Sequence, residues 1–168
     1  MILKSAATAL ALAFATSHAF AADPDAEPPM QSLVDDVSAE RLKADVTKLV
    51  SFGTRHTLSD TKSDKRGIGA ARRWIEEEFK RISKDCGGCL EVITVSDTIS
   101  GQTRIPEPTE VVNVIAIQRG ALDPNRMVLM SGDIDSRVTD PLDGTSDSPG
   151  ANDNASGVAG VLEAARVL

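Results

Sequence analysis

The sequence predicts an α/β domain in which helices flank a β-sheet. Apolar residues recur at helical spacing in two early segments, Leu42, Val46, Leu49, Val50 and then Ile68, Ala71, Ile75, Phe79, Ile82. Short apolar, β-branched runs follow at residues 90–95, 111–118 and 126–130, each of strand length. The last of them leads into an acid-bearing stretch, Ser131-Gly132-Asp133-Ile134-Asp135-Ser136-Arg137. A helical pattern from Val158 to Leu168 opens just after a second such stretch, Gly150-Ala151-Asn152-Asp153-Asn154-Ala155-Ser156-Gly157. Strand ends that turn into helices are where α/β sheets place their sites.

Taken in order, the chain begins with Lys4, an apolar run over residues 6–14 and Ala19-Phe20-Ala21, the form of an export signal over residues 1–21. The run is too short to span a bilayer, which needs about 20 apolar residues. No stable membrane association is expected, and the protein is expected in the periplasm or outside the cell. Residues 22–32, rich in Pro, Ala and acid, read as a disordered lead-in. The domain is expected over residues 33–168.

Ser38 is placed as the N-cap of the first helix, with Val37 before it as a staple for Leu42, and Gly53 ends that helix. The second helix covers residues 68–83, with Arg72, Arg73, Glu76, Glu77 and Lys80 on its polar side and Trp74 at the margin. Residues 90–95 read as a half-covered strand and residues 111–118 as a strand buried on both faces. Two prolines in Ile105-Pro106-Glu107-Pro108 mark a loop between them, and residues 120–125 form a turn before a third strand at 126–130.

Charge and cysteine usage narrow the function. A net charge of −7 argues against a nucleic-acid partner. Cys86 and Cys89 close a C-G-G-C ring after a helix, and in an exported chain this reads as a local disulfide. A thioredoxin-like motif would instead open a helix after a strand, and no second Cys or His pair exists to complete a zinc knuckle.

The chemistry points to Asp133, Asp135 and Asp153. Like charges gathered at one strand-to-helix edge repel, an arrangement that makes sense when a divalent cation neutralises them. Asp140, Asp143 and Asp147 fall in the intervening loop and read as solvated turn residues. An EF-hand loop starting at Asp133 would place Arg137 at a ligand position. No H-E-x-x-H occurs, Ser156 lacks a G-x-S-x-G elbow, and Gly67-Ile68-Gly69 lacks the third glycine of a nucleotide loop. His56 is expected to order a loop or helix end. Ser156 is expected to allow close approach of helix and sheet.

Phe52-Gly53-Thr54-Arg55-His56, the G-A-A-R-R-W-I-E-E-E-F helix, the N-V-I-A-I strand, M-V-L-M-S-G-D-I-D-S-R and G-A-N-D-N-A-S-G-V-A-G-V-L-E-A-A-R together resemble the co-catalytic zinc aminopeptidases of metallopeptidase family twenty-eight. The resemblance covers residues 34–168. It implies a mixed β-sheet flanked by helices, aminopeptidase-like, with two zinc ions at the carboxyl ends of central strands. It implies that Asp153 is a carboxylate bridging both ions and that Asp135 is the second acid of an H-x-D motif, a supporting group that orients a ligand. Asp133 stands where that motif has its metal-binding histidine, and so becomes the metal-binding residue there. An all-oxygen site of this kind is a poorer zinc site and a better one for harder cations such as Mg²⁺, Mn²⁺ or Ca²⁺. Three outcomes are open, zinc through Asp133, a different or single metal, or no metal, and retained metal binding is the expectation.

The activity so implied is that of an exported aminopeptidase acting on peptide or protein substrates. In the family a metal-bound hydroxide attacks the scissile carbonyl and a glutamate shuttles the proton. The family's Glu-Glu pair and final histidine lie after the bridging aspartate. The terminal helical pattern is still periodic at Leu168 with no capping residue, so the chain is expected to be the front portion of a domain. A second expectation, from another class, is a non-catalytic peptidase-like scaffold that has lost metal ligands. The replacement at Asp133 argues for it, and the intact Asp135 and Asp153 argue against it.

Overall fold

A computed structural model describes residues 30–168. The expected export signal and most of the lead-in lie outside the described residues. Four helices and one small sheet are built in the order α1 Met30–Asp35, α2 Ala39–Val50, α3 Gly67–Asp85, β1 Leu90–Ile99, β2 Thr109–Gln118 and α4 Ser156–Val167. The last three residues of the expected lead-in form the first turn of α1, which buries no side chain.

Helix α2 starts where predicted: Ser38 is extended and its Oγ accepts the Arg41 N–H at 3.2 Å, satisfying one of the first-turn donors. Gly53, at φ +71°, turns the chain away after it. Helix α3 buries the five predicted positions Ile68, Ala71, Ile75, Phe79 and Ile82. Trp74 lies at their margin, its ring 6.4 Å from that of Phe52. The chain leaves α3 through Gly87 and Gly88, both at positive φ, with Cys86 and Cys89 disulfide-bonded across them. The Ser83 hydroxyl bridges the exit, donating to Leu90 O at 2.8 Å and accepting Leu90 N–H at 3.2 Å.

Strands β1 and β2 form an antiparallel hairpin in register from Leu90↔Gln118 to Ile99↔Thr109. Its loop holds the two prolines, as the sequence predicts. The core gathers Leu49 and Phe52 with Ala71, Ile75, Phe79 and Ile82 of α3, Leu90 of β1, and Ala155, Val158 and Leu162 at α4. Val92, Val114 and Ala116 of the hairpin lie against it.

Two expectations need correction. Residues 126–130 do not form a third strand, and Met127, Val128 and Leu129 are 80–86% exposed. Strand geometry requires a neighbour to pair N–H and C=O groups, and β2 pairs only with β1 among the described residues. For the same reason β2 is half-buried rather than covered on both faces. What stands is an α/β arrangement of helices on one antiparallel pair.

A charged network ties the three long helices together away from the sheet. Arg166 of α4 reaches Asp45 of α2 at 2.6 Å, and Glu78 of α3 and Glu163 of α4 each at 3.3 Å. Arg41 pairs with Glu163 at 2.7 Å. Chiefly the Arg41 hydrogen bond, working against burial, holds the Glu163 carboxyl below its ordinary value.

Leu162 is fully buried, so Leu162→Ala is expected to cost about 2–5 kcal/mol in denaturant unfolding, whereas Leu122→Ala at an exposed position changes it by less than about 0.5 kcal/mol. Glu163 has a lowered folded-state pKa, so its contribution is complete above the ordinary glutamate value of 4.5 and is lost as pH falls through the depressed folded value. Glu163→Gln is therefore expected to lose on the order of 1–3 kcal/mol at neutral pH. The difference from the parent should shrink on acidification, as followed by thermal melts between neutral and acidic pH.

Candidate functional site

The predicted acids come from two chain segments. Asp133 and Asp135 lie on an extended segment whose two-residue alternation puts Ile134 against the core and the acids on the opposite, exposed side. Asp153 lies in the turn Ala151–Ala155 that precedes α4. All three line one cleft of about 390 Å³, with Ser136, Arg137, Val138 and Thr139. Among the described residues, no protein group donates a hydrogen bond to any of the three carboxylates or pairs with one as a salt bridge.

Local backbone makes this meeting possible. A Cβ on Gly132 would come within 2.6 Å of Val158 N and 2.7 Å of the Gly157 carbonyl carbon, so the bare glycine lets the acid segment lie on the first turn of α4. Gly150 has φ +49°, and a Cβ there would meet Asp153 O at 2.5 Å and the Ser136 Cβ at 2.6 Å. From Gly150 the Asp153 turn closes through Ala155 N–H on Gly150 O at 3.0 Å. Asp153 itself is non-helical, at φ −118° and ψ 95°. The Asp153–Asn154 peptide is cis. Asn154 then accepts Gly157 N–H on Oδ1 at 2.8 Å, which starts the helix.

Behind the cleft sits Arg55, 1% exposed. Its Nε donates to Ile134 O at 2.9 Å, between the two acids of the first segment. Nη1 donates to Leu49 O at 3.0 Å and Pro149 O at 2.7 Å, and Nη2 donates to Gly150 O at 3.0 Å. Burial pushes the guanidinium pKa down, and the negative charge of Asp135 works the other way. Three hydroxyls finish the packing. Ser136 Oγ accepts Arg55 N–H at 3.0 Å and donates to Ser148 O at 2.6 Å, and the Thr54 and Ser148 hydroxyls are 2.8 Å apart.

His56 is buried and does not line the cleft. Its Nδ1 accepts Leu58 N–H at 3.0 Å and its backbone N–H donates to Thr54 Oγ1, the loop-ordering role expected of it. Asp140 and Asp143 accept backbone N–H groups of their own turns, and Asp147 pairs with Arg66 at 2.6 Å. The Ser146 hydroxyl and the Ser146 and Thr145 backbone N–H groups hold the Asp143 carboxyl well below the usual range. Ser156 departs from its expected role: it is exposed, with its hydroxyl on Asn152 O at 2.8 Å, and the close approach is made by Gly132 on Gly157.

Arg55, Thr54, Ser136 and Ser148 carry no role in the sequence reading. Arg55 is visible there only as one letter of Phe52-Gly53-Thr54-Arg55-His56, since an arginine in a loop ordinarily reads as solvated. Its position directly before a buried histidine is the one local sign.

Carboxylate oxygens are hard donors and suit a divalent cation in kind. No group of three or more His, Cys, Asp or Glu among the described residues is gathered closely enough to enclose one. The cleft therefore fits a metal as one wall of a site.

Comparison with known proteins bears on the family. Residues 113–168 match the model of peptidase family M28. The chain is 49% identical over 145 residues to a probable zinc metalloprotease of Leptosphaeria maculans, a match covering 86% of the chain and 34% of that protein. It is 50% identical over 145 residues to a probable zinc metalloprotease of Pyrenophora teres f. teres, covering 84% of the chain and 30% of the relative. A third, from Pyricularia oryzae, is 48% identical over 146 residues, covering 86% and 28%. The chain thus spans about a third of the length of the curated relatives it matches. No solved structure matches it. Over the residues that these matches cover, the chain belongs to peptidase family M28.

Proposed function

We propose that the chain carries one wall of the metal site of an exported, zinc-dependent exopeptidase, an aminopeptidase acting on peptide or protein substrates. The observation that supports it most is the meeting of Asp133, Asp135 and Asp153 on one cleft with no protein partner for any of their oxygens. Family membership and the printed names of the relatives supply the class of reaction and the metal.

In this reading Asp153 would hold the metal as the shared carboxylate of the site and Asp133 would add a ligand. Asp133 offers no N–H, so Asp135 cannot steady it by accepting a hydrogen bond as it would from a histidine. Asp135 instead adds negative charge to the same cleft, balanced in part by the buried Arg55 guanidinium. A divalent cation held there would supply Lewis acidity toward a carbonyl and toward water near neutral pH. Neither glutamate nor histidine lines the cleft, so the proton shuttle is not among the described residues around it. Among the described residues no helix is long and apolar enough to cross a membrane.

A second reading, a peptidase-like scaffold without catalysis, is favoured by Asp133 in the histidine position and by the absence of a closed ligand group among the described residues. Metal content separates the two. The purified full-length protein is expected to retain a divalent metal and to cleave aminoacyl reporter substrates until chelated. No uptake at saturating zinc or manganese would leave the scaffold. Asp153→Asn is expected to lower reporter cleavage more than about a hundredfold, beyond what losing a supporting residue costs. Asp133→His is expected to raise the preference for zinc over manganese by about tenfold in competitive metal titration.

A further inference from the structure

Both acid-bearing segments are held by a residue outside the cleft lining. Ile134 O, which accepts Arg55 Nε–H, is the carbonyl between Asp133 and Asp135. Gly150 O, which accepts Arg55 Nη2–H, also accepts the Ala155 N–H that closes the Asp153 turn. One planar guanidinium thus fixes the backbone beside Asp133 and Asp135 and the start of the loop that carries Asp153. Its Nη1 meanwhile ties both to the end of α2 through Leu49 O. Arg55 forms no ion pair among the described residues, and all four of these side-chain bonds end on backbone carbonyls. The charge of nearby Asp135 acts on it, but the contacts that hold the backbone are these four hydrogen bonds. Divergent donors in a fixed plane are what the site uses, and a lysine has none to offer beyond a single nitrogen.

We propose that Arg55 is the positioning residue of the cleft: it sets the spacing of Asp133 and Asp135 against Asp153, and through that spacing the affinity for a divalent cation. This rests on the metal-binding reading above. It concerns main-chain placement and not contact with the ion, so it is separable from the identity of the ligands.

The test uses the full-length protein, zinc alone and manganese alone as probes, with affinity read by chelator competition and stability by thermal melting of the metal-free form. Arg55→Lys keeps the charge and loses the planar fork, and it is expected to weaken metal binding about tenfold to a hundredfold, the range typical of groups that orient ligands. Arg166→Lys alters a half-buried arginine, whose partners are Asp45, Glu78 and Glu163 on the helices. It is expected to lower the melting temperature and leave metal affinity within about twofold of the parent. Ser136→Ala removes the hydroxyl that joins Arg55 N–H to Ser148 O without touching the guanidinium, and it is expected to weaken binding several-fold.

Parental affinity in Arg55→Lys overturns the proposal, and so does an equal loss in Arg166→Lys, which would make the effect one of general destabilisation. Should Arg55→Lys fail to fold, Ser136→Ala decides: several-fold weaker binding supports the proposal and unchanged binding overturns it. If the parent protein binds neither metal, the metal-binding reading itself fails, a result distinct from any of these.

Discussion

The structure around the cleft depends on how one buried cation satisfies its donors. Arg55 is removed from water without a carboxylate partner, and burial alone would be costly for a guanidinium. Carbonyl oxygens from three places in the chain replace its lost hydration. Gly150 O and Leu49 O also accept the Ala155 and Phe52 N–H groups, so withdrawing the arginine would cost a donor chiefly at Ile134 O and Pro149 O. Leu49 O belongs to the last turn of α2, where helix carbonyls run out of intrahelical donors and a cation is electrostatically welcome. The same guanidinium therefore finishes a helix and joins two loops, so the cleft inherits the rigidity of the core.

The buried Arg55 and the half-buried Arg166 sit in opposite settings. Arg166 is surrounded by Asp45, Glu78 and Glu163, one acid from each of α2, α3 and α4, and it binds helices to one another. Arg55 is surrounded by main chain and binds loops to the helices. Between them lies the apolar cluster of Leu49, Phe52, Ile75, Phe79 and Leu162. Helix packing is thus fixed by apolar burial and side-chain charge pairs, and the acid-bearing segments by backbone hydrogen bonds laid over that platform. Asp133, Asp135 and Asp153 remain free of protein partners because the work of holding their backbone is done elsewhere.

Periodicity made α2, α3 and α4 legible, since each buries one stripe and the stripe is written in the residue order. The hairpin strands were legible as short apolar, β-branched runs, although such a run at 111–118 overstated how far β2 is covered, and the C-G-G-C ring was legible from its spacing. Residues 126–130 show the limit of the method. Their apolar character states what the segment would do beside a partner strand, and the presence of a partner is a property of tertiary structure that composition cannot carry. In the site, Asp133, Asp135 and Asp153 stood out because carboxylates at strand-to-helix edges need a reason to be there. Arg55 did not stand out, because its function arises from carbonyls 6 to 95 residues away and carbonyls are present at every position. The role of Ser156 was misjudged because two neighbouring small residues, Ser156 and Gly157, differ only in which one faces Gly132.

Reliance on carbonyls has an evolutionary side. Leu49, Ile134 and Pro149 offer their main-chain oxygens whatever side chain stands there, so the bonds that Arg55 makes place no demand on those side chains, and Leu49 and Ile134 answer to core packing instead. Gly150 is held for a different reason, its backbone conformation. What these bonds ask of inheritance is thus concentrated in the arginine, while the acceptor positions answer to packing and backbone shape.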